Sequence, residues 1–385
     1  MSCEVEALQV YSTSWISVGI DLQDGVGDMV KRNLTPDELE AEETLSELVV
    51  ENGVDKAPTF SVVIVNFNGG DYLQAAVNSL VQQSYKDFEL FVVDNASSDG
   101  SMERLDTSGI ERVHLMPEET NHGFAKGNNL PAKLAKGEWL VLLNPDAVAD
   151  EDWLLKIKEG IEAYPFAKMF ASAQYSLDEP GIMDGAGDCY HVFGIPWRGG
   201  YGRPASEMPQ TGECFSPCGA GAVFHRQTFL SVGGFDESFF CYCEDVDIAF
   251  RLRLQGERCV FLHQAMIHHA GSALSNQVGD FAVRYGTRNR LWVFVKNMPF
   301  FAFWIMLIPH LGMTLLIYLG GILTGRAKCV RLAFIEAAKG LMLILQARKK
   351  VQCDKKLNSL ELLRCMSWSP IFFLTRKSDV RPVKN

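Results

Sequence analysis

Acidic side chains and histidines that could carry chemistry occur at four places in the chain. Asp94 and Asp146 each follow an apolar run, residues 244–247 read Glu-Asp-Val-Asp, and residues 268–269 are two histidines. Carboxylate oxygens bind Mg²⁺ or a similar cation, with phosphate oxygens supplying further ligands, and imidazole is a common metal ligand. A carboxylate beside an apolar wall can act as a general base. Together these groups could hold a metal-bound anion and remove a proton.

Each group also has a purely structural interpretation. Asp94 could form a turn without binding a ligand, and Asp146 could belong to the loop that starts a helix near Asp150. The acidic run could stabilise the first turn of a helix by interacting with its dipole. A lone histidine is usually structural. The residue types alone leave both interpretations open.

Short apolar runs predict a sheet that would bring these groups together. Four runs rich in β-branched and aromatic residues alternate with segments of helical character. They are Phe60–Asn66, Phe88–Val93, Arg112–Met116 and Trp139–Leu143. Strands that are apolar on both faces and alternate with helices indicate a parallel sheet covered on both sides. Ligands bind beyond the carboxyl ends of such strands, where Asn66–Asn68, Asp94–Asp99 and Asn144–Asp146 lie.

Helices and one further strand are predicted around this sheet. We expect helices over Asp71–Leu80, Asn128–Lys136 and Ile248–Gln255, a short helix after Gly100, and a strand over Cys259–Leu262. The third helix would begin directly behind the acidic run, and the histidine pair would follow the strand.

Charge divides the chain of 385 residues into three parts, although its overall net charge is −11. Residues 1–58 hold 3 basic and 13 acidic residues (net −10), and we expect a loosely ordered extension there with a short helix starting at Thr35. Residues 59–283 (net −15) would form the catalytic domain, with a nucleotide-binding half at 59–150 and an acceptor half at 151–283. Residues 284–385 hold 18 basic and 4 acidic residues (net +14).

The ten cysteines are scattered, and the opening residues lack a basic segment followed by an apolar core. We therefore expect free thiols in a reducing compartment. The gaps among Cys214, Cys218, Cys241 and Cys243 do not match a common zinc pattern.

Eight segments, taken in order, resemble the family-2 glycosyltransferases, especially their bacterial rhamnosyltransferase-like branch. They are Val62–Asn68, Val93–Ser101, Asn121–Asn129, Leu143–Ala147, Gly219–Ala222, Gly233–Glu237, Glu244–Asp247 and His268–His269. Each segment alone is a weak signal, but their shared order over about residues 59–275 is specific.

The resemblance implies a GT-A fold, in which a Rossmann-like mixed sheet binds a nucleotide-diphospho-sugar and a second half binds the acceptor. It implies a donor site made by two loops and one helix start. Its residues would be Asn66, Asn68, Asp94, Asn121, Gly123, Phe124, Asn128 and Asn144.

The resemblance also assigns the metal and the base. Asp146 would bind Mg²⁺ or Mn²⁺ as the surviving acid of an Asp-any-Asp motif, and either His268 or His269 would complete the metal shell. Asp245, with Glu244 beside it, would deprotonate the acceptor. The sequence departs from the motif at its first position, where Asn-Pro-Asp is common in this branch. The base-assisted attack of a hydroxyl opposite the leaving diphosphate implies inversion at the sugar.

The C-terminal third indicates contact with a membrane. Residues 297–325 contain no Asp, Glu, Lys or Arg, and this run is long enough to span a bilayer, although we expect Pro299 and Pro309 to break it. A second apolar helix is predicted over Lys328–Ala347, flanked by basic residues that favour an anionic, cytoplasmic membrane surface. Three arrangements stay open: a spanning or re-entrant hairpin, helices lying in the interface, and a soluble helical subdomain.

The predicted function is therefore a membrane-associated hexosyltransferase of surface-polysaccharide synthesis, acting on a polyprenyl-linked glycan. One alternative is a catalytically inactive nucleotide-sugar-binding scaffold, against which the joint presence of Asp94, Asp146 and Asp245 argues. Another is a nucleotidyltransferase, which would need a basic phosphate loop where the chain reads Asn66-Phe67-Asn68-Gly69-Gly70. Nucleic acid is not expected, because the basic residues flank apolar helices instead of forming an exposed stripe.

Overall fold

The structure, a computed structural model, describes residues 57–271 and 279–384. The acidic extension, with the helix expected from Thr35, lies outside the described residues apart from positions 57 and 58.

Four parallel strands form the half of the sheet that the sequence predicts. They are β1 (Phe60–Asn66), β2 (Phe88–Asp94), β3 (Val113–Pro117) and β4 (Trp139–Leu142). Strands β1, β2 and β4 are buried along their whole length, and β1 pairs in parallel with both β2 and β4. Their carboxyl ends meet at one edge, as a ligand site in such a sheet requires.

The second half of the sheet changes direction, which makes the sheet mixed. Its strands are β5 (Ala147–Ala149), β6 (Ala167–Ser176), β7 (Met183–Ala186), β10 (Gly212–Glu213), β11 (Ala222–His225) and β12 (Arg258–His269). Between β7 and β10 the chain also forms β8 (Asp188–His191) and β9 (Ile195–Arg198). Strand β11 runs antiparallel to both β4 and β6 and so joins the two halves. Strands β8 and β9 form a separate hairpin.

Helices cover the sheet and form the C-terminal part. They are α1 (Gly70–Val81), α2 (Gly123–Leu134), α3 (Trp153–Ala163), α4 (Arg226–Ser231), α5 (Glu244–Leu254), α6 (Gly279–Asn297), α7 (Phe300–Leu323), α8 (Ala327–Lys339), α9 (Leu341–Asp354), α10 (Ser359–Cys365) and α11 (Pro370–Leu374).

Several predicted boundaries are wrong. Helix α2 begins at Gly123, five residues before the predicted start, and residues 101–104 form turns where a short helix was expected. Helix α5 begins at Glu244, so the acidic run is its first turn. Strand β12 continues seven residues beyond the predicted Leu262 and includes both histidines.

The C-terminal helices also differ from expectation. Helix α7 is continuous through Pro309, and Pro299 stands immediately before it. The single helix predicted over Lys328–Ala347 is two helices, α8 and α9, which meet at Gly340. A side chain at Gly340 would collide with Trp292 of α6, so this junction lies too close to α6 for any larger residue.

The C-terminal region packs on the catalytic part through a shared apolar cluster. Phe239 and Val246 of the catalytic part lie in this cluster with Trp292, Phe294 and Ile344. The domain boundary predicted at 283 falls inside α6 and stays a prediction.

Candidate active site

Asn66 at the end of β1 organises the nucleotide side of the site. Its side chain is fully buried, and Nδ2 lies 3.1 Å from Asp94 Oδ1 and 3.0 Å from the hydroxyls of Ser97 and Ser101. Its Oδ1 accepts from the backbone N–H of Gly69 at 3.1 Å. Asn66 therefore shapes the loop and orients Asp94, because its own polar atoms already bond within the protein.

Asn68 joins the two loops of the nucleotide side. Its backbone takes a left-handed φ of +53°, which Asn tolerates better than most residues. Its N–H donates to Ser97 Oγ at 2.9 Å, and its Oδ1 accepts from the N–H of Ser98 at 2.8 Å. Asp94, 9% exposed, is held at the edge of this loop pair.

The residues predicted at the start of α2 have different tasks. Asn121 Oδ1 accepts from the N–H of Gly123 at 2.8 Å, and Asn128 Nδ2 donates to the carbonyl of Phe124 at 2.9 Å. Gly123 has φ +76°, and a Cβ there would lie 2.5 Å from the carbonyl oxygen of Phe240. The two asparagines thus fix the backbone, whereas the ring of Phe124 lines the cavity described below.

His269, and not His268, lies beside Asp146. Its Nε2 is 3.1 Å from Asp146 Oδ1 and 3.2 Å from Asn144 Nδ2. Successive strand residues face opposite sides of a sheet, so His268 points away, 3.1 Å from Asp150 Oδ1 and stacked on Tyr175.

A second carboxylate holds the other nitrogen of His269. Asp184 Oδ2 lies 2.8 Å from His269 Nδ1 and 2.7 Å from Arg198 Nη1. Burial disfavours the charged imidazole, but its hydrogen bonds with Asp146 and Asp184 raise the pKa of His269 to about 9. Burial also works against ionisation of Asp184, yet Arg198 and His269 lower the pKa of that carboxyl.

These donors fit a divalent cation. Metal-bound histidines usually donate their second N–H to a carboxylate, which is the relation between His269 and Asp184 here. Asp146 Oδ1 and His269 Nε2 face each other beside the Asn144 side chain, so one carboxylate oxygen and one imidazole nitrogen are available to a divalent cation.

Asp245 stands in the first turn of α5 with both carboxylate oxygens oriented. Oδ2 accepts from the N–H of Gly219 at 3.0 Å, and Oδ1 accepts from the N–H of Val246 at 2.8 Å. Burial raises the pKa of Asp245, and this effect outweighs the two backbone hydrogen bonds, which lower it. A carboxylate of raised pKa in a cleft is suited to accept a proton.

Glu244 differs from its neighbour. Burial, with the nearby charge of Asp245, raises the pKa of Glu244 well above its usual range, and its Oε2 is buried without a hydrogen-bond partner. The pKa of Glu244 is thus raised more strongly than that of Asp245, whose carboxylate is also oriented by two backbone N–H groups, so Asp245 is the better base of the two.

Asp188 and Cys218 complete the surroundings of Asp245. One ligand atom of each of these three residues lies within 4.8 Å of the others. Burial raises the pKa of the Cys218 thiol, and burial with the charge of Asp245 raises the pKa of Asp188 well above its usual range. Both shifts favour the neutral, protonated forms of Asp188 and Cys218.

One cavity of about 280 Å³ joins the two sides of the site. Phe124 and Asn144 line it from the nucleotide side, and Asp188 and Asp245 line it from the other. The cavity thus joins two of the eight predicted donor residues, Phe124 and Asn144, with Glu244 and Asp245. The other six predicted donor residues do not line it.

Sequence reasoning missed Asp184, Asp188 and Arg198. A signal was present, because residues 183–188 read Met-Asp-Gly-Ala-Gly-Asp, two acids among glycines in an otherwise apolar neighbourhood. Such a pattern is also typical of a surface turn. Only the folded β7 places Asp184 beside His269, and only the hairpin β8–β9 places Asp188 and Arg198 at the cavity.

Residues 61–229 match the family model described as "Glycosyl transferase family 2". Residues 61–229, which are less than half of the chain, therefore have the sequence of a family-2 glycosyltransferase domain. The match and the mixed sheet confirm the predicted family and the predicted GT-A fold.

Relatives of this glycosyltransferase domain occur in several organisms. The chain is 28% identical over 273 residues to "O-antigen biosynthesis protein RfbC" of Myxococcus xanthus, covering 67% of this chain but only 20% of that protein. It is 25% identical over 243 residues to "N-acetylglucosaminyl-diphospho-decaprenol L-rhamnosyltransferase" of Mycobacterium tuberculosis, covering 54% of this chain and 75% of that protein. These relatives support the rhamnosyltransferase-like branch.

Among solved structures, TarS 1-349 of S. aureus in complex with UDP-GlcNAc is 16% identical with a TM-score of 0.49. The overlap covers 83% of this chain and 92% of that one.

Proposed function

We propose that the protein transfers a sugar from a nucleoside-diphosphate donor to an acceptor hydroxyl, with inversion and with a divalent metal. The observation that carries this proposal is the shared cavity, which has Asn144 at one wall and the oriented carboxylate of Asp245 at the other. A donor in this cleft would place its sugar between a phosphate-binding edge and a base.

The chain's own residues supply orientation and proton transfer. Asp94, held by Asn66, accepts hydrogen bonds from the nucleoside, and Phe124 bounds the cavity. Asp245 takes the proton of the acceptor hydroxyl while Gly219 N–H fixes its direction. The metal, held by Asp146 and His269, would neutralise the charge of the departing diphosphate.

The C-terminal helices would bring the protein to a membrane surface. Within the described residues, α7 is the one helix long and apolar enough to cross a bilayer. Large apolar side chains on it are exposed, including Trp304, Ile305 and Ile308. The net charge of +14 over residues 284–385 suits anionic lipid. Vesicle binding tests this membrane contact. The protein should bind vesicles that contain anionic lipid more tightly than vesicles of neutral lipid.

The acceptor is proposed to be a lipid-linked glycan. The M. tuberculosis relative is named for a diphospho-decaprenol acceptor and for rhamnose, and an acceptor of this kind would lie at the membrane that the helices contact. Rhamnose is accordingly the first sugar to test.

Release of nucleoside diphosphate across a panel of nucleotide sugars, with Mg²⁺, Mn²⁺ or a chelator, tests the activity. Wild type should release diphosphate from one donor only with metal present. Asp245→Asn should bind that donor normally but release nucleoside diphosphate about 10²–10⁴ times more slowly, which is the range for loss of a general base. Equal rates in wild type and variant would refute the assignment of Asp245.

A further inference from the structure

The segment that precedes Asp245 adopts a backbone that bulky residues rarely take. Phe240, Tyr242 and Cys243 have φ of +64°, +70° and +64°. Left-handed conformations of bulky residues are genuine outliers, and they persist only where the surroundings impose them. Residues outside this segment must therefore hold its shape.

Asn289 of α6 makes the contacts that hold this segment in its left-handed backbone conformation. The side chain is fully buried, and Nδ2 lies 2.9 Å from the carbonyl oxygen of Phe239, 2.9 Å from that of Cys241 and 2.7 Å from that of Tyr242. One amide thus faces three carbonyls of the strained segment. Carbonyls turned inward in this way would be costly to bury without a donor.

Arg288 orients that amide. Its Nε donates to Asn289 Oδ1 at 2.8 Å, so the Nδ2 side of the amide faces the segment. Its Nη2 also donates to the carbonyls of Ser238 and Phe239, at 3.2 and 2.9 Å. Two neighbouring residues of α6 therefore hold one stretch of backbone.

The other side of the segment contacts the nucleotide side of the site. The Phe240 carbonyl accepts from the N–H of Ala125 at 3.1 Å, and its ring lies against Gly123. Cys243 immediately precedes α5, and it lines the cavity together with Asp245. The shape of the segment thus sets where α5 begins and where Asp245 points.

We propose that Asn289, oriented by Arg288, is a positioning residue that holds residues 239–243 in this shape and so directs the Asp245 carboxylate into the cavity. The role of Asp245 as base rests on the proposed function, whereas the hold of Asn289 on the segment does not. Since α6 leads directly into α7, the base is positioned by the part of the chain that would contact the membrane.

Cysteine labelling tests the hold without any substrate. The purified protein is labelled with iodoacetamide, and the labelled sites are mapped by mass spectrometry. Half-buried Cys241 and Cys243 report on the segment, and exposed Cys353 serves as the reference. Buried Cys189 and Cys259 report global unfolding. Asn289→Ala should speed labelling of the two segment cysteines by about tenfold or more, because local opening follows the loss of local hydrogen bonds. The buried cysteines should stay at the wild-type rate.

Asn129→Ala is the matched control. Asn129 is likewise a buried asparagine, and its Nδ2 donates to a backbone carbonyl, that of Phe235, just before the strained segment. Labelling of Cys241 and Cys243 should change less than about twofold in this variant. Wild-type labelling in Asn289→Ala, or the same acceleration in both variants, would overturn the proposal.

A milder variant covers the case in which Asn289→Ala does not fold, which rapid labelling of Cys189 and Cys259 would reveal. Arg288 is only half-buried, so Arg288→Ala should fold and should speed labelling at Cys241 and Cys243 alone, by a smaller factor. No change in that variant would equally overturn the proposal.

Turnover then separates this inference from the proposed function. With the donor found in the nucleotide-sugar panel, Asn289→Ala should lower kcat by about tenfold or more, because a misplaced base slows the chemical step. The donor Kd should change by a smaller factor than kcat, through the contact of Phe240 with Gly123 and Ala125. Faster labelling with unchanged kcat would show that Asn289 holds the segment but that Asp245 is not positioned through it. If labelling changed as predicted but no nucleotide sugar served as a donor, the role of Asn289 in holding the segment would stand. Only the proposed function would be refuted.

Discussion

The two walls of the cleft are built in different ways. On the nucleotide side, Asn66, Asn68 and Asp94 bond mainly to residues of the same two loops. On the base side, the segment before Asp245 is strained and depends on Asn289, about 45 residues further along the chain. The nucleotide wall is thus organised by its own loops, whereas the base wall is organised by a distant helix.

The base side also contains a buried charge whose partners lie partly on α6. The base side encloses Asp247, which is fully buried and contacts Arg251 at 2.8 Å, Lys296 at 2.9 Å and Asn297 at 2.8 Å. Lys296 and Asn297 belong to α6. The helix that holds the strained segment therefore also neutralises the buried carboxylate of Asp247 on α5, the helix that carries Asp245. Removing partners from α6 should therefore harm the base side selectively.

The largest effect is expected for Lys296→Met. It leaves the carboxylates of Asp247 and Asp236 without their shared ammonium, and breaking a buried pair costs about 3–5 kcal/mol of unfolding free energy. Chemical denaturation measures it. The control Lys158→Met breaks an exposed pair with Glu162 and should leave the free energy of unfolding nearly unchanged. Similar losses in the two variants would contradict the importance of the α6 contacts.

The next effect concerns metal binding on the nucleotide side. His269→Ala should weaken Mn²⁺ binding by about 10–100-fold or more, since loss of a hydrogen-bond partner of a metal ligand alone has an effect of that size. The neighbouring His268→Ala should leave the affinity within about twofold, because His268 faces Asp150. Calorimetric titration with Mn²⁺ distinguishes them, and equal losses would remove the case for His269 as the ligand.

A smaller effect appears in the pH dependence of stability. Although burial opposes ionisation, Lys296 lowers the pKa of Asp236 from 3.8 to about 2. A lowered folded-state pKa stabilises the protein above pH 3.8, and this contribution is lost as the pH falls toward 2. Asp236→Asn should therefore cost about 2 kcal/mol near neutral pH, and the difference from wild type should shrink below pH 4. A difference independent of pH would contradict the assigned charge pair.

The smallest effect is expected for Asn68→Gly on the nucleotide side. Glycine adopts the φ of +53° readily, so the variant loses little besides the Asn68 Oδ1 bond to Ser98, about 0.5–1.5 kcal/mol. Donor affinity, measured by titration, should fall less than about threefold. A collapse of donor binding would show that the nucleotide wall depends on this side chain more than its hydrogen bonds indicate.

Some of this site could be predicted from the sequence because parallel strands carry their carboxyl ends to one edge. The ends of β1, β2 and β4 could be located from apolar runs alone, and with them Asn66, Asp94 and Asn144. The choice between the histidines could not be made, because it depends on strand parity and the predicted strand stopped at Leu262. Once β12 reaches His269, alternation decides which ring faces Asp146.

The base wall could be predicted least. Asp245 was found through a resemblance, but Asp184, Asp188 and Asn289 reach the site only through the tertiary packing of β7–β9 and α6. No periodicity in the sequence encodes the direction of these side chains. The continuous path of α7 through Pro309 could not be predicted either, because local propensity disfavours proline inside a helix.

The most direct test of the account compares Asp146→Asn with Asp245→Asn in one assay that yields both donor Kd and the rate of diphosphate release. The account predicts that Asp146→Asn weakens metal-dependent donor binding by about tenfold or more. It predicts that Asp245→Asn leaves the Kd unchanged and slows release by about 10²–10⁴-fold. If both variants changed the same quantity to the same extent, the two walls would not have separate roles, and the account would be wrong.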